Sequence, residues 1–123
     1  MASVDSEFPT DIIDLQVVEH GSDACVITVK GEVDTLTAPK LASVLDEQLS
    51  LVRVVVVDLD GVEFLGSAGL SALFEAHELA TREHRVLRLV CHSRIANRAL
   101  EATELREHFT FADTVPDALK SSL

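Results

Sequence analysis

The sequence predicts an α/β domain: a mixed, mostly parallel β-sheet with an antiparallel N-terminal hairpin at its edge, packed with about four α-helices. Three observations carry that expectation. The length of 123 residues is that of one domain. Short β-branched runs alternate with stretches of helical period, as when helices cross over between neighbouring parallel strands. One run, Leu51 to Asp58 (LVRVVVVD), is apolar almost without interruption, the pattern of a central strand covered on both faces.

The elements follow in order. Residues 1–11 carry acids and Pro9 and read as a loose arm, and the folded unit spans 12–123. Ile12 to Glu19 and Ala24 to Lys30 are β-prone runs separated by His20-Gly21-Ser22-Asp23, which makes them an antiparallel hairpin. Gly31 to Asp34 follows as a loop. Thr37 then caps a helix whose first turn admits Pro39, with Ala38, Leu41, Ala42, Leu45 and Leu49 at helical spacing. After the central strand, Asp60-Gly61 reads as a turn and Val62 to Leu65 leads on. Gly66-Ser67-Ala68-Gly69 opens a second helix that buries Leu70, Leu73 and Phe74 and ends near Arg82. Arg85 to Cys91 is the next strand. Ser93 caps a third helix carrying Ile95, Ala99, Ala102 and Leu105; Phe109 to Ala112 forms a short strand; Thr114 caps a last helix with Pro116 in its first turn. Sites in such sheets favour the carboxyl ends of the strands, which brings the 31–34 loop and the 58–69 segment together.

Ten basic against 21 acidic side chains set the formal charge at −11. Nucleic acid is bound mainly by neutralising phosphates, so it is not an expected partner. The densest basic stretch, Arg82, Arg85, Arg88, Arg94 and Arg98, is interleaved with Glu83 and has no exposed aromatic to stack a base. The opening residues lack the basic start and apolar core of a signal peptide, and no run approaches the roughly 18 apolar residues of a span. A cytoplasmic protein without membrane contact is expected, and, with no long apolar stripe to demand a dimer, a monomer. Cys25 and Cys91 lie inside apolar segments, form no CxxC pair and read as small buried hydrophobes. His77 and His84 stand two helical turns apart, roughly 10 Å, and the strand neighbours Cys91 and His92 point to opposite faces. No metal and no cofactor is therefore expected.

Enzyme chemistry fares no better. A nucleophile elbow requires G-x-S-x-G, whereas Leu65 stands two before Ser67 and the flanking glycines are Gly66 and Gly69. Asp58 and Asp60 suggest a phosphoaspartate or magnesium site, but Lys30, Lys40 and Lys120 are not placed to neutralise a phosphoryl group on a late strand. Neither a Walker A sequence nor G-x-G-x-x-G is present. The Ser67 turn is left. The mouth of a helix offers unpaired N–H groups and a partial positive charge, so a phosphate esterified there is stabilised where it stands, and the small residues around it leave the hydroxyl accessible. A plain N-cap role explains the same serine on spacing alone.

From about Ile12 to Leu123 the chain resembles the STAS-domain anti-sigma-factor antagonists of bacterial partner-switching pathways. Two motifs carry the resemblance: Gly31-Glu32-Val33-Asp34, and the run Val55 to Leu70, VVVDLDGVEFLGSAGL. The resemblance implies regulation of transcription in a stress response, with no catalysis by the chain itself. An anti-sigma factor that is also a GHKL-type serine kinase would bind the unphosphorylated form, releasing sigma. That kinase would phosphorylate Ser67, and a PP2C-type phosphatase would restore the free form. It further implies a partner-binding face made of Glu32, Asp34, Thr35, Asp60, Gly66, Ser67, Ala68, Gly69 and Leu70. The family commonly has Asp where Gly66 stands and a second Ser or Thr where Ala68 stands, so the phosphorylation site falls on Ser67 alone. The other reading of the resemblance is a STAS adaptor or scaffold that is never phosphorylated and docks on another protein such as a transporter ATPase.

Overall fold

The structure, a computed structural model, describes residues 13–120. The expected arm, 1–11, lies outside the described residues. Val54, Val55, Val56 and Val57 are each at most 2% exposed, because successive side chains of their strand enter two different apolar layers. This strand is β3 (Val54–Leu65), the middle of a five-stranded sheet in the order β1-β2-β3-β4-β5. β1 (Ile13–His20) and β2 (Ala24–Val33) form the antiparallel hairpin edge, while β2, β3, β4 (Val86–Val90) and β5 (Thr110–Phe111) run parallel.

Each parallel step needs a crossover, and the helices supply it. α1 (Ala38–Leu51) links β2 to β3 and buries Ala38, Leu41, Leu45 and Leu49; α2 (Ser67–Arg82) links β3 to β4 and buries Leu70, Leu73, Ala76 and Ala80. Both cover the sheet face that carries Ile27, Val55, Val57 and Leu89. α3 (Arg94–Glu101) joins the same layer through Ala96 and Leu100. On the opposite face α4 (Val115–Lys120) places Ala118 against Val26, Val54, Val56 and Val90. Among the described residues no helix is long and apolar enough to cross a membrane, and no cluster of His, Cys, Asp and Glu could hold a metal ion.

Three local expectations are corrected. Asp60-Gly61 is not a turn: β3 runs straight through it, paired with a β2 that itself continues through Gly31 to Val33. Thr28 pairs with Asp58 and Lys30 with Gly61, then Gly31 with Val62 and Glu32 with Phe64, so β3 gains an extra residue at each of two bulges. The glycines serve those bulges. Gly31 takes φ 97°, and a Cβ at Gly61 would stand 2.8 Å from the Lys30 Cγ. On α3, Ser93 caps as expected, accepting from the Ala96 N–H at 3.1 Å, but the buried side is Ala96 and Leu100, with Ile95 half exposed. The helix also stops at Glu101, and Leu105 belongs to a separate 3-10 turn, Glu104–His108, which brings Phe74 and His108 edge to face.

Candidate functional site

The site is assembled where β2 and β3 end and α1 and α2 begin. The chain leaves β2 through Asp34, whose carboxylate accepts from the backbone N–H groups of Leu36 at 2.9 Å and Thr37 at 3.0 Å. In return the Thr37 hydroxyl oxygen accepts from the Asp34 N–H at 2.8 Å and donates to the Glu32 carbonyl at 2.8 Å. This reciprocal pair closes the turn that leads into α1: Thr37, 5% exposed, holds the expected N-cap position, but its hydroxyl is engaged with Asp34 and Glu32 and makes no cap bond to the helix. The N–H of Thr37, with that of Leu36 and the hydroxyl of Thr37 behind it, holds the Asp34 carboxyl below the usual carboxylate range. Glu32 and Thr35 remain exposed on either side, and Leu36 stands out at 72% exposure.

The second half of the site is tied to the first by one bond. The Gly66 N–H donates to the Val33 carbonyl at 2.9 Å, which fixes the end of β3 to the end of β2. Gly66, in extended conformation at φ −89°, is the N-cap of α2, and Leu70 N–H closes the first turn on the Gly66 carbonyl at 3.0 Å. Ser67 is therefore the first helical residue and is exposed to solvent. The N–H groups of the first turn have no intrahelical acceptor, so they face outward beside the serine.

Not every expected surface residue reaches the surface. Leu70 is 5% exposed and packs in the core, and Gly69 is buried beneath the turn. A Cβ at Gly69 would stand 2.5 Å from Val33 Cγ1 and 2.7 Å from Leu65 Cδ1, closer than atoms pack. These two residues support the face from below instead of contacting a partner. Ala68 is half-buried and lines an open groove of about 270 Å³ between α1 and α2, with Thr35, Pro39, Ser71 and Glu75 around it. Asp60 lies within β3, seven residues before Ser67. Its carboxylate accepts from the His92 backbone N–H at 2.7 Å and lies 3.1 Å from His92 Nδ1. Hydrogen bonding to Asp60 first, then its charge and those of Asp113 and Asp58, raises the His92 pKa.

Two residues of this face escaped sequence reasoning. Leu36 and Phe64, 72% and 47% exposed, are apolar side chains left in water beside Ser67. For Leu36 the available signal was its placement, an apolar residue between Thr35 and Thr37 outside any periodic apolar face; Phe64, between Glu63 and Leu65, gave no such signal.

A family model for the STAS domain matches residues 14–118. The chain is 31% identical over 110 residues to an anti-sigma-F factor antagonist, RsfB, of Mycobacterium tuberculosis, covering 89% of this chain and 88% of that one. Among solved structures, an anti-sigma factor antagonist from Mycobacterium paratuberculosis superposes with a TM-score of 0.81 at 32% identity, covering 94% of this chain and 97% of that one. The antagonist SpoIIAA in its unphosphorylated form shares the fold, with a TM-score of 0.72 at 15% identity over 87% of this chain and 94% of its own.

Proposed function

The chain belongs to the STAS domain family, and from that premise we propose that it is an anti-sigma factor antagonist switched by phosphorylation of Ser67. Its unphosphorylated form binds an anti-sigma factor that has serine kinase activity and so frees the sigma factor. The phosphorylated form lets go, and a PP2C-type phosphatase restores binding. The chain contributes a docking face and a hydroxyl, with no catalysis of its own. The similarity to antagonists at 31% and 32% identity supports the role. The observation that carries the switch is the exposed Ser67 at the first position of α2, beside Glu32 and Thr35 and above the Gly66–Val33 tie.

Chemically, the Ser67 oxygen attacks the terminal phosphorus of ATP, a new P–O bond forms, the bond to ADP breaks, and the hydroxyl proton passes to a base of the kinase. The product carries about −1.5 to −2 charges at neutral pH, held by the outward N–H groups and dipole of α2. Docking would have to strip water from that dianion and place it beside whatever partner carboxylates answer the turn, so association weakens without any change of fold. A loss of about 2.7 kcal/mol is a hundredfold in affinity, enough to reverse a competition between partners.

The test is a titration of the anti-sigma factors encoded in the same genome with the unmodified protein and three variants. Ser67→Ala should bind like the unmodified protein and accept no phosphate, while Ser67→Asp and Ser67→Glu should bind on the order of a hundredfold more weakly. Equal affinity for all variants removes the switch from the account. In the kinase assay, a mass gain on any residue other than Ser67 moves the site.

A further inference from the structure

Resting on that reading, we propose that Phe64, seated against the bare side of Gly66, selects which anti-sigma kinase docks, by entering an apolar pocket edged with basic residues on that partner. Gly66 has φ −89°, a conformation open to any residue, so its backbone does not demand glycine. Its missing side chain makes room for a ring: a Cβ at this position would stand 3.1 Å from Phe64 Cε2 and 3.4 Å from Cζ. Phe64 thus lies along Gly66, three residues before Ser67 at the end of β3, with 47% of its surface in water.

Among the described residues the ring is unlike the other phenylalanines. Phe109 is 8% exposed, and Phe74 and Phe111 are half-buried among His108, Phe109 and Arg106. The neighbours of Phe64 state the chemistry of its occupant. Glu32 is its register partner on β2 and Glu63 precedes it, both exposed, in a chain of net charge −11. A large aromatic flanked by carboxylates fits a pocket with apolar walls and a Lys or Arg rim, and such central aromatics carry disproportionate binding energy.

The probes are the purified GHKL-type anti-sigma kinases of the same genome, each titrated with the unphosphorylated protein and assayed for Ser67 phosphorylation. Phe64→Ala should weaken binding of the cognate kinase about tenfold or more and raise KM with little change in kcat. Gly66→Asn keeps a favoured, uncharged N-cap but puts atoms where the ring lies. It should weaken binding in the wild-type background and have no effect in the Phe64→Ala background, the signature of two residues acting through one contact. Circular dichroism should show every variant folded. The proposal is overturned if Phe64→Ala binds as wild type does, or if Gly66→Asn costs the same in both backgrounds. A wild-type protein that binds and is phosphorylated by none of the kinases overturns the function itself, whereas unaltered binding of Phe64→Ala overturns only the role of the ring.

Discussion

At the scale of single residues, the face around Ser67 depends on atoms that are missing. Gly69 is the clearest case, since a methyl group there would overlap Val33 and Leu65, the two side chains that end the paired strands. Overpacking of this kind costs about 1–3 kcal/mol. Gly69→Ala should therefore lower the unfolding free energy measured by urea titration by that amount, and an unchanged free energy would show that the two strand ends yield freely. Ser-x-Gly could be read in the sequence as a helix start, but the reason for its glycine could not. That reason is a contact with β2, more than thirty residues earlier in the chain. Leu70 carries two expectations, a buried place by helical period and a part in the partner face by the resemblance; at 5% exposed it meets the first, because helical geometry turns it toward the sheet.

At the scale of elements, the doubly bulged end of β3 holds the site, and the connection between β4 and α3 braces it. Ser93 donates its hydroxyl to the Val62 carbonyl at 2.8 Å while capping α3, and His92 meets Asp60 through both its backbone N–H and its ring. The ring contact makes this brace sensitive to pH. The folded state favours the protonated imidazole, so His92 has a raised pKa and its contribution is fully present below the ordinary value of about 6.5. It is lost as pH rises through the raised folded value. Comparing wild type with His92→Asn, the gap in urea midpoint should be widest near about pH 5.5 and close toward about pH 8.5. A gap that stays constant with pH would mean the ring contact carries no charge. The Ser93 cap was legible in the sequence, but the His92–Asp60 contact was not, since His92 is one of five scattered histidines. Pairing across thirty-two residues is decided by which strands become neighbours.

At the scale of the whole molecule, sheet order separates what composition leaves open. Cys25 and Cys91 both face the layer under α1 and α2, so facing alone would permit a bridge. The register does not. Cys25 stands level with Val55 and through it with Leu87, two strands away, and Cys91 lies four residues farther along. Two strand spacings of about 4.8 Å and four residues of about 3.3 Å put the pair far beyond the roughly 7 Å limit of a disulfide. Both thiols are free, and burial pushes that of Cys25 up to about 11, so it is held as the unreactive thiol. Unfolding midpoints with and without reductant should coincide; a drop on reduction would reveal a bond that this topology forbids.

What the sequence determined by itself is what depends on local pattern and short range. The β-branched run that must be buried on both faces, the helices whose leucines recur every three to four residues, and the small-residue turn that leaves Ser67 exposed all follow from composition and period. What only the tertiary structure decided is everything that crosses from strand to strand: the two bulges that carry β3 through Gly61, the seat of Phe64 on Gly66, and the His92–Asp60 brace. Periodicity fixes which side of an element is apolar, but register and the space between neighbours are properties of the assembled sheet, and they are settled only when distant segments meet.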